Sequence, residues 1–97
     1  MTGKQKMANA KTRNHLMATI SQLEDAKQAQ DFFTDLCSRK ELEAMADRWA
    51  VAPYLDQGYS YREIHDITSI SLTTIGRVAN ALRFGANGYQ RMLKKSK

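Results

Sequence analysis

The sequence is poor in the residues that form disulfides and metal sites. Its 97 residues include one cysteine, one proline and two histidines. A single cysteine excludes an internal disulfide, and two histidines far apart in sequence cannot complete the four ligands of a structural zinc site. We therefore expect no bound metal and no cofactor, in a composition that suits the reducing cytoplasm.

Long apolar runs and catalytic motifs are also missing. The longest apolar run, residues 49–55, is far shorter than the roughly 20 residues that span a bilayer, and no stretch resembles a signal peptide. Glycine-rich phosphate loops are absent, and Cys37 has no histidine near it in sequence to activate it. The sequence predicts a protein that is not an enzyme and has no membrane partner.

The charge that is present is unevenly distributed. The formal net charge of +5 divides into +4 over residues 1–13, −4 over residues 14–58 and +5 over residues 59–97. A positive field confined to the two ends of a chain favours a polyanionic partner such as double-stranded DNA.

Residues 60–82 have the spacing of a helix-turn-helix. Ser60 can cap a first helix, and Glu63 stands three residues later, where it would complete a capping box. Ser71 restarts the pattern as a second cap, and Ser69 occupies the turn position where glycine is usual. Apolar residues then recur at three- and four-residue steps: Leu72, Ile75, Val78, Ala79 and Leu82.

The second helix of such a unit enters the major groove with its first residues at the base edges. We assign base-edge contact to Leu72, Thr73 and Gly76. The remaining predicted DNA contacts, mostly to phosphates, are Tyr61, Arg62, His65, Ser71 and Arg77. Two alternatives stay open at this point: a helical hairpin with a merely hydrated polar side, and a small interaction module that binds an acidic protein partner.

The rest of the chain is predicted to form additional helices. Residues 1–13 are predicted to form a disordered basic arm, and residues 14–97 a single helical domain, with Asn14 capping its first helix. That helix is too apolar to stand alone in water. The second helix is predicted to begin at Gln30 or Asp31.

The third helix is predicted to supply the core. Ser38 and Glu41 form a possible capping box at its start. Pro53 removes a backbone donor, so we expect a kink there or an early end of the helix, and Gly58 fits a stop at its C-terminus.

Three of these segments together resemble the bacterial Trp repressor superfamily, in particular its YerC/YecD branch. They are SRKELEAMADRW from Ser38, the glycine at position 58, and SYREIHDITSISLTTIGRVANAL from Ser60, and the resemblance covers roughly residues 30–93. It implies an all-α, six-helix subunit in an intertwined homodimer. It further implies a sequence-specific repressor that binds a palindromic operator.

The resemblance also implies a possible ligand pocket. Tryptophan-responsive members of the superfamily hold the corepressor between two arginines, which match Arg48 and Arg77 here, near Ser38 and Thr74. Val78 replaces a glycine that leaves room for the indole, and Ala81 replaces a serine that helps to hold the amino acid. Because overpacking costs about 1–3 kcal/mol, we do not expect L-tryptophan as effector. Control by L-tryptophan or by another small ligand stays an alternative.

Overall fold

A computed structural model describes residues 9–96, and these residues form six helices. The helices are α1 (Ala10–Ile20), α2 (Ala26–Leu36), α3 (Arg39–Asp56), α4 (Tyr61–Thr68), α5 (Leu72–Phe84) and α6 (Gly88–Ser96). The predicted all-α class with six helices is therefore confirmed. The chain divides into two compact units, with the boundary between Ser38 and Arg39, and the prediction of a single domain over residues 14–97 stays a prediction.

In the first unit, α1 begins earlier than predicted. The side chain of Asn9 caps the helix by accepting a hydrogen bond of 2.9 Å from the backbone N–H of Thr12. This corrects the assignment of Asn14 as the cap and of residues 10–13 to a disordered arm. Alanine, lysine and arginine are strong helix formers, so the helix extends back to the first residue that can cap it. Residues 1–8 of the predicted arm lie outside the described residues.

The second helix also begins earlier than predicted. Asp25 caps α2 by accepting a 2.8 Å hydrogen bond from the N–H of Gln28, which corrects the predicted start at Gln30 or Asp31. The first turn of α2 is polar and so lies outside the apolar pattern on which the prediction was based. Phe32 and Phe33 pack edge to face, with ring centroids 5.5 Å apart. Neither α1 nor α2 contains a fully buried residue.

The second unit has a small apolar core to which α3, α4, α5 and α6 all contribute. Its buried residues are Val51, Ala52, Ile64, Ile75, Val78 and Leu93. Fully burying an aliphatic side chain stabilises a fold by about 1.5–3 kcal/mol, so this cluster is what fixes α4 and α5 relative to α3.

The core helix α3 continues through its proline. It ends at Asp56, so of the two predicted outcomes the early end at Pro53 is wrong, and the kink stays a prediction. An interior proline costs about 3 kcal/mol, and burial of Val51 and Ala52 immediately before it offsets that cost.

Gly58 ends α3 as predicted, and it does so in a left-handed conformation with φ of +90°. The N–H of Gly58 bonds the carbonyl of Leu55, and the N–H of Tyr59 bonds that of Tyr54, each at 3.1 Å. This pair of bonds is the Schellman motif. The rings of Tyr54 and Tyr59 meet edge to face at 5.2 Å and supply its apolar contact.

Within residues 9–96, no helix is both long enough and apolar enough to cross a bilayer.

Candidate nucleic-acid interface

The predicted capping box at the start of α4 is present. Ser60 Oγ accepts from the N–H of Glu63 at 3.1 Å, and the carboxylate of Glu63 accepts from the N–H of Ser60 at 2.8 Å. Two backbone donors that a helix start leaves unpaired are thereby satisfied. The box fixes the direction in which the chain enters the helix-turn-helix.

This capping box is expected to weaken in acid. The backbone N–H and the side chain of Ser60 hold the pKa of Glu63 below its ordinary value of 4.5. A carboxyl group with a lowered pKa stabilises the fold above the pKa of the unfolded chain, and the contribution is lost as pH falls through the folded pKa. Glu63→Gln should therefore flatten the dependence of unfolding free energy on pH below 4.5. Denaturant unfolding on both sides of that pH measures the slope, and parallel profiles for the two proteins would contradict the assignment.

The turn between α4 and α5 is held by side chains of α4. Ser69 adopts the left-handed conformation, with φ 63° and ψ 9°, as its position at the turn predicted. Thr68 Oγ1 donates to the carbonyl of Ile64 at 2.7 Å and accepts from the N–H of Ile70 at 3.1 Å. His65 Nδ1 lies 2.8 Å from the carbonyl of Ile70. The turn is therefore closed by polar groups on both sides of Ser69.

His65 has a structural role that the sequence reasoning missed. A carbonyl oxygen only accepts hydrogen bonds, so the 2.8 Å contact makes Nδ1 of His65 the donor to the turn. The only signal in the sequence was a histidine where helix crowding favours small residues. Its predicted phosphate contact stays a prediction.

The start of α5 presents a polar and partly apolar surface to solvent. Ser71 Oγ accepts from the N–H of Thr74 at 3.1 Å and donates to Thr74 Oγ1 at 3.0 Å, so Ser71 is the predicted cap. Thr73 is exposed and Ile75, on the opposite face of the helix from it, is fully buried. Leu72 lies on the same side as Ile75, but at the start of the helix it is 45% exposed. Leu72 and Thr73, both predicted for base-edge contact, are therefore accessible to solvent in the first turn of α5.

The arginines predicted to contact phosphates have no acidic partners in the described part of the chain. Among residues 9–96, neither Arg62 nor Arg77 has a carboxylate at ion-pair distance, and the same holds for Arg48 of the predicted ligand pocket. Arg62 and Arg77 are exposed, and Arg48 is half-buried. An exposed cation without a counter-charge is available to an anionic partner.

Gly76 interrupts α5 where an alanine would be more stable. A Cβ atom built on it would meet Tyr61 Cε2 at 3.9 Å, which is an ordinary van der Waals contact. Internal packing therefore does not require glycine at this position. Since glycine favours close approach of a backbone to a ligand, its presence is consistent with the predicted contact to DNA.

Gly76→Ala is accordingly expected to stabilise the fold. Removing glycine from a helix interior should raise the free energy of unfolding by up to about 1 kcal/mol, and denaturant unfolding would measure the change. If the variant were less stable instead, packing against Tyr61 would be the reason for the glycine.

The residues of the predicted ligand pocket belong to both units. Ser38 is the exposed last residue of the first unit, and the other four lie in the second unit. Val78 is fully buried in the core, and its assignment to the lining of a pocket stays a prediction. Thr74 uses its hydroxyl to accept from Ser71.

A different cleft, of about 470 Å³, opens on the second unit. Trp49 and Tyr89 stack along it with their ring planes within 2° and centroids 6.2 Å apart. Its remaining lining residues are Ala81, Ala86, Gly88 and Met92. The sequence reasoning placed Ala81 near a ligand but did not foresee this pairing of aromatic rings from α3 and α6. Within the described part of the chain, no group of three or more potential metal ligands comes together.

Comparison with known proteins gives consistent matches over most of the chain. The profile of the Trp repressor protein family matches residues 11–97. The uncharacterized YerC protein of Bacillus subtilis is 34% identical over 87 residues, which are 90% of this chain and 84% of YerC.

Two solved structures share the fold. One is a crystal structure of a Staphylococcus aureus protein named for the Trp repressor, with a TM-score of 0.84 and 31% identity over 91% of this chain and 88% of that one. The other is a TrpR-like protein from Eubacterium eligens, with a TM-score of 0.77 and 32% identity over 90% and 89% of the two chains. The family profile, the relative and the solved structures agree with the resemblance seen over residues 30–93. The chain belongs to the Trp repressor family.

Proposed function

We propose that this protein is a sequence-specific DNA-binding transcriptional regulator that acts as a repressor in the cytoplasm, without enzymatic activity and without a membrane partner. The observation that carries the proposal is the first turn of α5, where Leu72 and Thr73 are accessible on the helix that also exposes Arg77. The leucine offers an apolar surface to a thymine methyl group, and the threonine offers a hydroxyl to a base edge. Membership of the Trp repressor family supports the same function.

The working form that we propose is an intertwined homodimer on a palindromic operator. Apolar surface in both units supports it: α1 and α2 bury none of their residues fully, and Trp49 and Met92 are exposed beside the 470 Å³ cleft. A second copy that covers these surfaces would present two recognition helices. Successive major grooves on one side of B-form DNA lie about 34 Å apart, so the two half-sites should be centred at that spacing.

Binding to DNA is proposed not to require L-tryptophan. Val78 is fully buried, and opening room for an indole beside it would require the core to rearrange. Calorimetric titration with L-tryptophan and related indoles tests this point. Heat of binding together with tighter DNA binding in the presence of L-tryptophan would overturn it, whereas an effect of a different indole would identify another effector.

The proposed function is tested by selecting bound duplexes from a random pool at moderate salt with competitor DNA. We expect enrichment of an imperfect palindrome, and small-angle scattering should give the mass of a dimer. Recovery of unselected sequences, or a monomeric mass, would contradict the proposal. The interaction module for an acidic protein would then become the better hypothesis.

A further inference from the structure

The last turn of α5 carries an aromatic residue and a cation in contact, both facing solvent. Phe84 is 73% exposed, and the guanidinium carbon of Arg83 lies 5.9 Å from the centroid of its ring. That distance is within the range of a cation–π interaction. No carboxylate among residues 9–96 lies at ion-pair distance from Arg83. The pair therefore keeps an unneutralised positive charge beside an uncovered ring.

This pair borders a small pocket of about 120 Å³ between α4 and α5. The residues that line it are Tyr61, Gly76, Ala79, Asn80, Arg83 and Phe84. The two residues with the smallest side chains, Gly76 and Ala79, leave the space open. Because packing within the chain does not require a glycine at position 76, the open space points to a group from outside that occupies it.

The chemistry of the lining selects an anion attached to an apolar group. Arginine, tyrosine and asparagine are side chains that bond phosphate oxygens in DNA complexes, and all three types line this pocket. The aromatic face of Phe84 adds a surface against which a sugar ring can pack. Drug-sized ligands occupy pockets of about 300–1,000 Å³, so this pocket suits a single small group.

We propose that the pocket receives one backbone phosphate of the bound DNA, with the adjoining deoxyribose against Phe84. This assignment rests on the proposed function and adds Asn80, Arg83 and Phe84 to the predicted contacts. The position of the pocket along α5 supports this assignment. Thr73 in the first turn and Arg83 in the last turn are separated by about 15 Å of helix rise, which exceeds the major-groove width of about 12 Å. A helix whose first turn reads the bases therefore brings its last turns to the phosphates at the groove edge.

Duplexes of the selected operator, each with one phosphate replaced by a neutral methylphosphonate, test the proposal. For the wild-type protein, we expect one substitution in each half-site to weaken binding by about tenfold, as removal of one charge-assisted hydrogen bond would. Arg83→Gln should be insensitive to that same substitution and should reduce the salt slope by about one unit per phosphate bond. Phe84→Ala should weaken binding with an unchanged salt slope. Arg91→Gln on α6, an equal change of charge outside the pocket, should respond to every substitution as the wild-type protein does.

The outcomes separate this assignment from the proposed function. If the wild-type protein selects an operator but Arg83→Gln matches Arg91→Gln at every phosphate, the pocket does not bind phosphate and the DNA-binding function stands. If the wild-type protein selects no DNA, the proposed function fails, and this assignment fails with it. Gly76→Ala gives a second test with a variant expected to be more stable than the wild-type protein: its affinity for the operator should fall, and its sensitivity to the methylphosphonate substitution should be lost. Unchanged affinity in Gly76→Ala would overturn the assignment.

Discussion

Ile75→Ala is expected to lower the free energy of unfolding by about 2–5 kcal/mol, the range measured for large-to-small substitutions in protein cores. Ile75 is fully buried in a small core whose other buried members are Val51, Ala52, Ile64, Val78 and Leu93, so little surrounding structure can collapse into the space it leaves. Stabilities of small domains lie at about 5–15 kcal/mol, and the substitution therefore removes a large part of the total. Denaturant unfolding followed by circular dichroism measures the change.

Ile67→Ala is the matched control for this prediction. Ile67 lies on α4 and is 55% exposed, so the same change of residue type should alter stability by no more than about 0.5 kcal/mol. If the two variants were destabilised equally, the core described for the second unit would be incorrect. If Ile75→Ala unfolded the protein completely at room temperature, the midpoint of Ile67→Ala would still show whether exposure determines the cost.

The helix-turn-helix could be predicted from the sequence because its signals are local. Ser60 and Ser71 each accept a hydrogen bond from the N–H three residues later, and this geometry needs no knowledge of the rest of the fold. The buried positions of α4 and α5 follow helical periodicity. Gly58 at the end of α3 is local for the same reason, since a left-handed residue there completes the Schellman bonds.

Features that depend on tertiary packing could not be predicted in the same way. The continuation of α3 through Pro53 depends on burial of Val51 and Ala52 against other helices. The local sequence indicates only that proline lacks a backbone N–H donor. The early start of α2 is a different case, because its cap at Asp25 is local but precedes a polar first turn that the apolar pattern does not mark.

Predictions for the candidate site show the same contrast between local features and features that depend on tertiary packing. The accessibility of the two arginines Arg62 and Arg77 was expected from residue type and spacing, whereas that of Leu72 was expected only from its assignment to base-edge contact at the start of the recognition helix. The bond from His65 to the turn and the aromatic stack of Trp49 on Tyr89 join residues whose proximity only the folded chain reveals.

Arg62→Ala should weaken binding to every DNA sequence alike. Arg62 is exposed in the first turn of α4, and within residues 9–96 it has no acidic partner. A hydrogen bond to a charged group contributes about 1.5–3 kcal/mol, so removing one such bond should raise Kd at least tenfold. Each phosphate bond also releases counterions, so the plot of log K against log salt should flatten by about one unit per bond removed. In a homodimer one substitution removes the bond from both subunits, and the slope should fall by about two units.

Arg39→Ala distinguishes removal of a phosphate bond from a change in overall charge. Arg39 is highly exposed and is paired with Glu43 at 3.3 Å, so this variant changes the net charge by the same amount without removing an unpaired cation. Its salt slope should stay close to that of the wild-type protein. Equal slopes for the two variants would mean that the affinity for DNA depends only on the net charge of the protein. A reduced slope for Arg62→Ala alone would mean that its guanidinium bonds a phosphate. A phosphate contact carries no sequence preference, so operator selection with this variant should return the same palindrome.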